Sequence, residues 1–371
     1  MSTTGRRIFL QPPFVGEAER ASVAAAFDSG YIAPCGPQVE AFERALASLS
    51  GRRYAVALSS GTAAIDLVLE CLGVGPGWTV VSPTLSFIAT VGSAWHRGAE
   101  LALVDCDATG NLDVALLDRA LAELTTAGRR KLLVFGVDLF GTCCDYAALR
   151  RICRRHGAVF AVDAAESVGS SADGRAAGSA GVAAVYSFNG NKVVTTGGGG
   201  AIVTDSRRLA ALALKLSQQG REPKPQYEFR MVGYNYRMSN VLAAIGLAQL
   251  DRLPEILARK RRVRAFYAQL AASRPGFSLL DADGASNCWL NVMRCPSRRT
   301  RDRLVAAFAA ADIEARPAWK PLHLQPVFRQ VKTFGGAQSE AIFRTGLCLP
   351  SGAGLSAADL GRIASVLLSI V

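Results

Sequence analysis

Between residues 54 and 104 short apolar runs alternate with segments of helical periodicity. YAVALSS reads as a strand, GTAAIDLVLECLG as a helix, and TVVSPTLSF and ELALVDCD as strands. The same rhythm continues through the strand KLLVFGVDLFG, the helix DYAALRRICRRHG, the strand AVFAVDAA and the pair AAVYSF and GGAIVTD. Such alternation predicts βα units wound into a mostly parallel sheet. The nearly unbroken apolar runs predict strands covered by helices on both faces.

A further helix is expected from about Ser206. It is followed by the polar, proline-containing loop GREPKPQYEFRMVGYNYRMSN and the helical run VLAAIGLAQLDRLPEILARKRRVRAFYAQLAA, which Pro254 should break or kink. From about residue 276 the pattern changes to short strands such as CWLNVMRC and a helix at about 300 to 311, as in a small α+β domain. A chain of 371 residues is longer than one hydrophobic core usually serves. The expected partition is a large domain over residues 1–248 and a smaller one over 249–371.

Half of the residues are hydrophobic and 19% are charged, which excludes a disordered or fibrous chain. No stretch approaches the ~18 uncharged apolar residues of a membrane-spanning helix. GRRIFLQ has the paired arginines of an export signal, but PPFVGEAER follows where an apolar segment should stand, so a cytoplasmic location is expected.

The net charge of +12 would suit a polyanion. Its arginines and lysines are scattered in short groups, without the basic stripe and interleaved aromatics of a nucleic-acid groove, so no nucleic-acid partner is expected. A phosphorylated small molecule fits that charge equally well. The nine cysteines lie mostly in apolar surroundings without a repeated C-x-x-C pair, and read as reduced thiols. Cys153 and His156 have ligand-like spacing, but the other two histidines, His96 and His323, are far away in sequence, so no metal site is expected.

The polar residues that could carry chemistry fall where strands end, which is where open α/β sheets gather their ligands. SSGTAA, residues 59–64, ends a strand and opens a helix. Its serine and threonine serve equally as helix caps or, with the free backbone N–H groups, as a phosphate cradle. Its single glycine does not supply the G-x-G-x-x-G of a dinucleotide site, which argues against a nicotinamide oxidoreductase.

FAVDAAESVGS puts Asp163 directly behind an apolar strand, where an unpaired carboxylate is costly. It either caps the next turn, pairs with a surface arginine, or meets a cation such as a protonated pyridine nitrogen. In YSFNGNKVVTTGGGG, Lys192 precedes four consecutive glycines; it is either a solvated loop lysine or an amine that bonds a cofactor aldehyde and then moves protons. Phe87, in PTLSFIAT, could lie against a flat ring or belong to the core. GYNYRMSN offers the Asn235 amide and the forked Arg237 cation to anionic groups.

Taken in order, SGYIAPCGPQVEAFE, VALSSGTAAI, PTLSFIAT, VDLFGTCCDYAALR, VDAAESVGS, RPAWKPLHLQPVF and GLCLPSG resemble the DegT/DnrJ/EryC1/StrS sugar aminotransferases, a branch of the fold-type-I pyridoxal-phosphate enzymes. The resemblance spans nearly the whole chain. It implies an aspartate-aminotransferase-like α/β large domain with a mostly parallel sheet, a smaller C-terminal α+β domain, and pyridoxal 5'-phosphate as cofactor. Lys192 then matches the lysine that bonds the cofactor, Asp163 the partner of its ring nitrogen and Phe87 the stacked aromatic. Ser60, Gly61, Thr62, Ala63 and Ser187 match phosphate contacts, and Glu166 a position near the ring hydroxyl.

In the family Asn235 reaches the phosphate from a neighbouring subunit, which implies a homodimer with shared active sites, and the amino donor is glutamate. SFNGNK with TTGGGG is most similar to the subgroup acting on UDP-2-acetamido-2,6-dideoxy-4-keto-hexoses for surface-glycan biosynthesis. There Tyr31, Ile32, Ala33 and Pro34, with Asn189, Arg237, Trp319 and His323, border the nucleotide-sugar. The runner-up acceptors are dTDP-linked 3-keto or 4-keto sugars and keto-cyclitols. Phe229 departs from the family, whose members commonly carry histidine there. Relatives that replace the lysine with histidine are dehydratases, so Lys192 favours transamination.

Overall fold

The computed structural model describes residues 6–280 and 285–370. Its strands follow the apolar runs closely. In chain order they are β1 (Tyr54–Leu58), β2 (Trp78–Pro83), β3 (Glu100–Val104), β4 (Lys131–Val137), β5 (Val159–Asp163), β6 (Ser171–Ala172), β7 (Arg175–Ala176), β8 (Ala184–Ser187), β9 (Gly200–Thr204), β10 (Ser278–Leu279), β11 (Asn291–Arg294), β12 (Arg316–Pro317), β13 (Lys332–Phe334) and β14 (Gly346–Leu349).

Eight of them form one sheet in the order β1-β9-β8-β5-β4-β2-β3-β13. The pairs from β8 to β13 are parallel, whereas β9 runs antiparallel to both of its neighbours. Strand burial is nearly complete because separate apolar clusters cover the two faces. Val81, Val134 and Val162 belong to one, and Val80, Leu133 and Ala161 to the other. Residues adjacent along a strand thus enter opposite cores, which is why the runs read as continuously apolar rather than alternating.

The architecture is the expected α/β one. Ser206 caps the helix Arg207–Ser217, and the long helical run divides into Asn240–Asp251 and Leu253–Ala272 with Pro254 in the first turn of the second. The run breaks where the proline was expected to break it, and the rigid φ of Pro254 suits the first turn of the helix that follows.

A four-stranded antiparallel sheet, β10-β11-β14-β12, forms the smaller unit with the helices Arg298–Ala310 and Ala357–Ser369 around a third core that includes Tyr267, Phe308 and Ile363. Several contacts cross a boundary at residue 248, two of them at the edges of the two units. β13 leaves the C-terminal part to pair with β3 at the edge of the large sheet. Conversely, Ile8 joins the third core and bridges Ile313, and Ser351 N–H donates to the Leu10 carbonyl. Neither crossing had a sequence signal, since each is a long-range pairing of a very short segment. Among the described residues no helix is long and apolar enough to cross a membrane.

Candidate active site

The C-terminal ends of β1, β2, β5 and β8 open onto a cavity of about 430 Å³. After β1 the chain turns directly into the helix Gly61–Leu72, and Ser60 Oγ caps it by accepting from Ala63 N–H (3.0 Å). The bland reading of Ser60 as a cap therefore holds, while Ser60, Gly61 and Thr62 also line the cavity. Close packing fixes this helix start. A Cβ on Gly200 would lie 2.4 Å from the Gly61 nitrogen and the Ser60 carbonyl, and one on Gly61 would lie 2.9 Å from Ser187 Cβ. The bare backbone leaves amide groups facing the cavity beside the positive end of the helix, which suits a phosphate.

Asp163 ends β5 and lines the cavity at 6% exposure. Thr90 Oγ1 donates to its Oδ2 (2.7 Å) and Ala165 N–H to its Oδ1 (3.1 Å). Burial raises its pKa above the ordinary carboxylate value, while the Thr90 hydroxyl, the Ala165 amide and the charge of Lys192 pull it back. Neither a surface arginine nor turn capping accounts for the carboxylate as a whole.

Lys192 stands on the loop between β8 and β9. Phe188 N–H donates to Gly199 O (2.8 Å) and Thr196 N–H to Phe188 O (2.9 Å), so the loop folds back over its own base. Gly199, at φ +154°, has no space for a side chain against Met238. The lysine points inward, its Nζ 3.7 Å from Glu166 Oε1 and 4.0 Å from the Trp289 ring centroid. Burial pushes Glu166 up to about 7, against the Lys192 charge and the Phe140 N–H that donates to it at 2.7 Å. A flat pyridine ring placed here would find a buried acid, an amine and a helix start on the walls of one cavity. The residues present thus fit pyridoxal phosphate.

Phe87, Ser187, Asn189 and Trp319 line the same cavity. Phe87 is 58% exposed, so it is no core residue, and its ring lies 5.7 Å from that of Trp319. The other expected residues lie elsewhere in the single chain. Ala63 is buried behind the helix start, and Asn235 is exposed outside the cavity. Tyr31 and Ile32 are exposed, and the Tyr31–Pro34 stretch is held through Asn240, which donates to the Tyr31 and Ala33 carbonyls.

Arg237 is not a free fork in the single chain. It is buried and donates to Glu43 Oε1 (2.6 Å) and Ala57 O (3.0 Å), because a guanidinium under this loop needs a local counter-charge. His323 likewise faces Glu340 (3.1 Å) rather than the cavity. Trp289, Thr90 and Asn191 also line the cavity; Thr90 and Asn191 lay within PTLSFIAT and SFNGNK without being singled out, and Trp289 lay in no site motif. For Trp289 the available signal was a tryptophan in the strand CWLNVMRC, with Asn287 and Asn291 two residues to either side.

The family profile of DegT/DnrJ/EryC1/StrS aminotransferases matches residues 13–368. The chain belongs to that family. It is a pyridoxal-phosphate-dependent sugar aminotransferase. It is 38% identical over 370 residues to the GDP-perosamine synthase of Caulobacter vibrioides (strain ATCC 19089 / CIP 103742 / CB 15), covering 97% of each chain. It is 36% identical over 372 residues to EpsN of Bacillus subtilis (strain 168), named as a pyridoxal phosphate-dependent aminotransferase, with 98% of this chain and 96% of that one covered. Among solved structures it is similar to DesI in the presence of its TDP-sugar product, with TM-score 0.88, 30% identity and coverage of 99% and 93%. A fold-type-I architecture follows from this membership.

Proposed function

We propose that this aminotransferase moves the amino group of glutamate to the ketone of a nucleotide-linked 4-keto-6-deoxyhexose. One observation carries the reading: Lys192 and Asp163 line the same cavity, close enough for the lysine charge to act on the acid. When bound, pyridoxal phosphate supplies the electron sink and the temporary carrier of nitrogen.

The chain's residues divide the remaining work. Lys192 would hold the cofactor through its aldehyde, and its Nζ would be the group that takes and returns the proton at the reacting carbon. Asp163 would pair with the ring nitrogen and keep it cationic, and Thr90 holds that carboxylate in place. Ser60, Gly61, Thr62 and Ser187 would hold the phosphate, and Phe87 would cover the ring. Glu166 stands near the ring hydroxyl and within reach of the Lys192 amine. Trp319 and Asn189 border the acceptor sugar.

A homodimer completes the site. The loop before Asn240 supports this, since Tyr227 is 74% and Val232 93% exposed, an apolar surface suited to a second copy. Asn235, Arg237 and the Tyr31–Pro34 stretch then serve the neighbouring subunit's site.

For the acceptor, the name of the Caulobacter relative favours a GDP-linked keto-sugar. The SFNGNK and TTGGGG pattern keeps UDP-2-acetamido-2,6-dideoxy-4-keto-hexose second, and the TDP-sugar product of DesI supports a dTDP-linked sugar third. The test offers glutamate with GDP-, UDP- and dTDP-linked keto-sugars and identifies the aminated product by mass and NMR. Amination of one of them supports the reading, and no turnover of any overturns it.

A further inference from the structure

Residues 286–289 come from the C-terminal part of the chain, yet they are stitched to the turn that carries Glu166. Asn287 Nδ2 donates to the carbonyls of Glu166 (2.8 Å) and Val168 (2.9 Å), and Asn287 N–H donates to Ser170 Oγ (2.9 Å). Asn287 Oδ1 in turn accepts from Trp289 N–H (2.9 Å). Behind the tryptophan, the fully buried amine of Lys260 donates to Trp289 O (3.1 Å), Ser351 O (2.6 Å) and Gln11 Oε1 (3.0 Å). Burial pushes this amine down to about 7, and in either charge state its hydrogen bonds to oxygens hold those partners in place, since a buried N–H left without an acceptor is costly.

What this framework presents to the cavity is one indole. Its Nε1 donates to Asn191 O (2.6 Å), in the residue just before Lys192, and its ring receives the Lys192 Nζ at 4.0 Å. Glu166 Oε1 approaches the same nitrogen from 3.7 Å.

We propose that Trp289 is a positioning residue for the reaction: its ring seats the Lys192 ammonium whenever that amine is not bonded to the cofactor, and its N–H fixes the loop from which the lysine reaches. Lysine has a long flexible stem, and a released amine that wanders no longer meets the carbon whose proton it must move. A desolvated indole face retains a cation roughly 2- to 30-fold better than an unrestrained side chain would. Asn287 and Lys260 act one step further out by holding Trp289.

The inference rests on the role given to Lys192 above, and its test needs no keto-sugar. Full-length wild type, Trp289→Phe and Trp289→Met are stripped of cofactor and treated with acetic anhydride at one pH. Acetylation of Lys192 is then measured by mass spectrometry relative to exposed Lys320. Phenylalanine keeps an aromatic face and methionine does not, while both lose volume and the indole N–H.

The expected result is Lys192 acetylation about tenfold faster in Trp289→Met and within about threefold of wild type in Trp289→Phe. The rate at which glutamate changes the absorbance of the bound cofactor should follow the same order, slowest in Trp289→Met. Equal acetylation in the two variants, or wild-type acetylation in Trp289→Met, would overturn the proposal, as would failure of Trp289→Phe to fold. Failure of the Lys192 assignment itself shows separately, as retention of the cofactor's lysine-bound absorbance in Lys192→Ala.

Discussion

Thr90 Oγ1 donates a 2.7 Å hydrogen bond to Asp163 Oδ2 and so ties the helix that follows Phe87 to the acid at the end of β5. The carboxylate is buried, and few groups oppose the burial that raises its pKa. Replacing Thr90 by valine keeps the shape and removes the donor. Losing one hydrogen bond to a buried charged group costs about 1.5–3 kcal/mol. Thr90→Val is therefore expected to weaken cofactor binding or kcat by roughly 10- to 100-fold, with Thr90→Ser recovering most of it. Cofactor titration and steady-state rates check this, and an unchanged Thr90→Val enzyme would show that the bond is incidental.

Lys192→Ala should lose the absorbance of the lysine-bound cofactor and at least about 1000-fold in rate, as expected for a group that both bonds the cofactor and moves the proton. Lys192→Arg should behave the same, since a guanidinium forms no such bond and gives up no proton. Circular dichroism of both variants is expected to match wild type, because Lys192 stands on a loop and its ion-pair partner Glu166, already pushed up to about 7 by burial, can take up a proton when the amine is gone.

The Glu166 carboxyl, pushed up to about 7 by burial, gives the cofactor-free chain a pH signature. Its proton is held more tightly folded than unfolded, so its favourable contribution is complete below the unfolded value near 4.5 and is lost as pH rises towards 7. Across that window the loss amounts to at most about 3 kcal/mol. Glu166→Gln should flatten this part of the stability profile, and denaturant titrations of the cofactor-free proteins at pH 5 and pH 8 read it. An identical slope in wild type and variant would count against a buried, neutral-preferring carboxyl.

Gly200→Ala should be worse than Gly61→Ala. The new methyl group at 200 would meet backbone atoms at 2.4 Å, whereas at 61 it meets the movable Ser187 side chain at 2.9 Å. Overpacking of this kind costs about 1–3 kcal/mol. Thermal unfolding should rank wild type above Gly61→Ala and that above Gly200→Ala, with weakened phosphate-dependent cofactor retention in both variants.

Glu43 compensates a guanidinium that is nearly out of solvent. Glu43→Leu should lower stability by about 3 kcal/mol by leaving Arg237 unpaired, while the double variant Glu43→Leu/Arg237→Met should regain much of that. Equal loss in single and double variants would mean that Arg237 is needed in its own right, as it would be if it served a neighbouring subunit's substrate.

The sequence alone determined the strand-and-helix rhythm, the α/β architecture and the residues at the strand ends, because each rests on local pattern: apolar runs for doubly covered strands, Ser60 at a helix start, Asp163 and Ser187 as the last residues of β5 and β8. The resemblance then carried Lys192, Asp163 and the cofactor, since each of those residues sits in a short local motif at the end of its own strand, Asp163 after β5 and Lys192 after β8. Tertiary structure decided what depends on long-range pairing. It gave Arg237 to Glu43 and His323 to Glu340, pairings between residues 194 and 17 positions apart that no motif marks. It returned β13 to the large sheet, and it brought Trp289 across the molecule to the amine of Lys192. A side chain's partner is set by packing between distant segments, and a pattern read along the chain contains no information on which segments will meet.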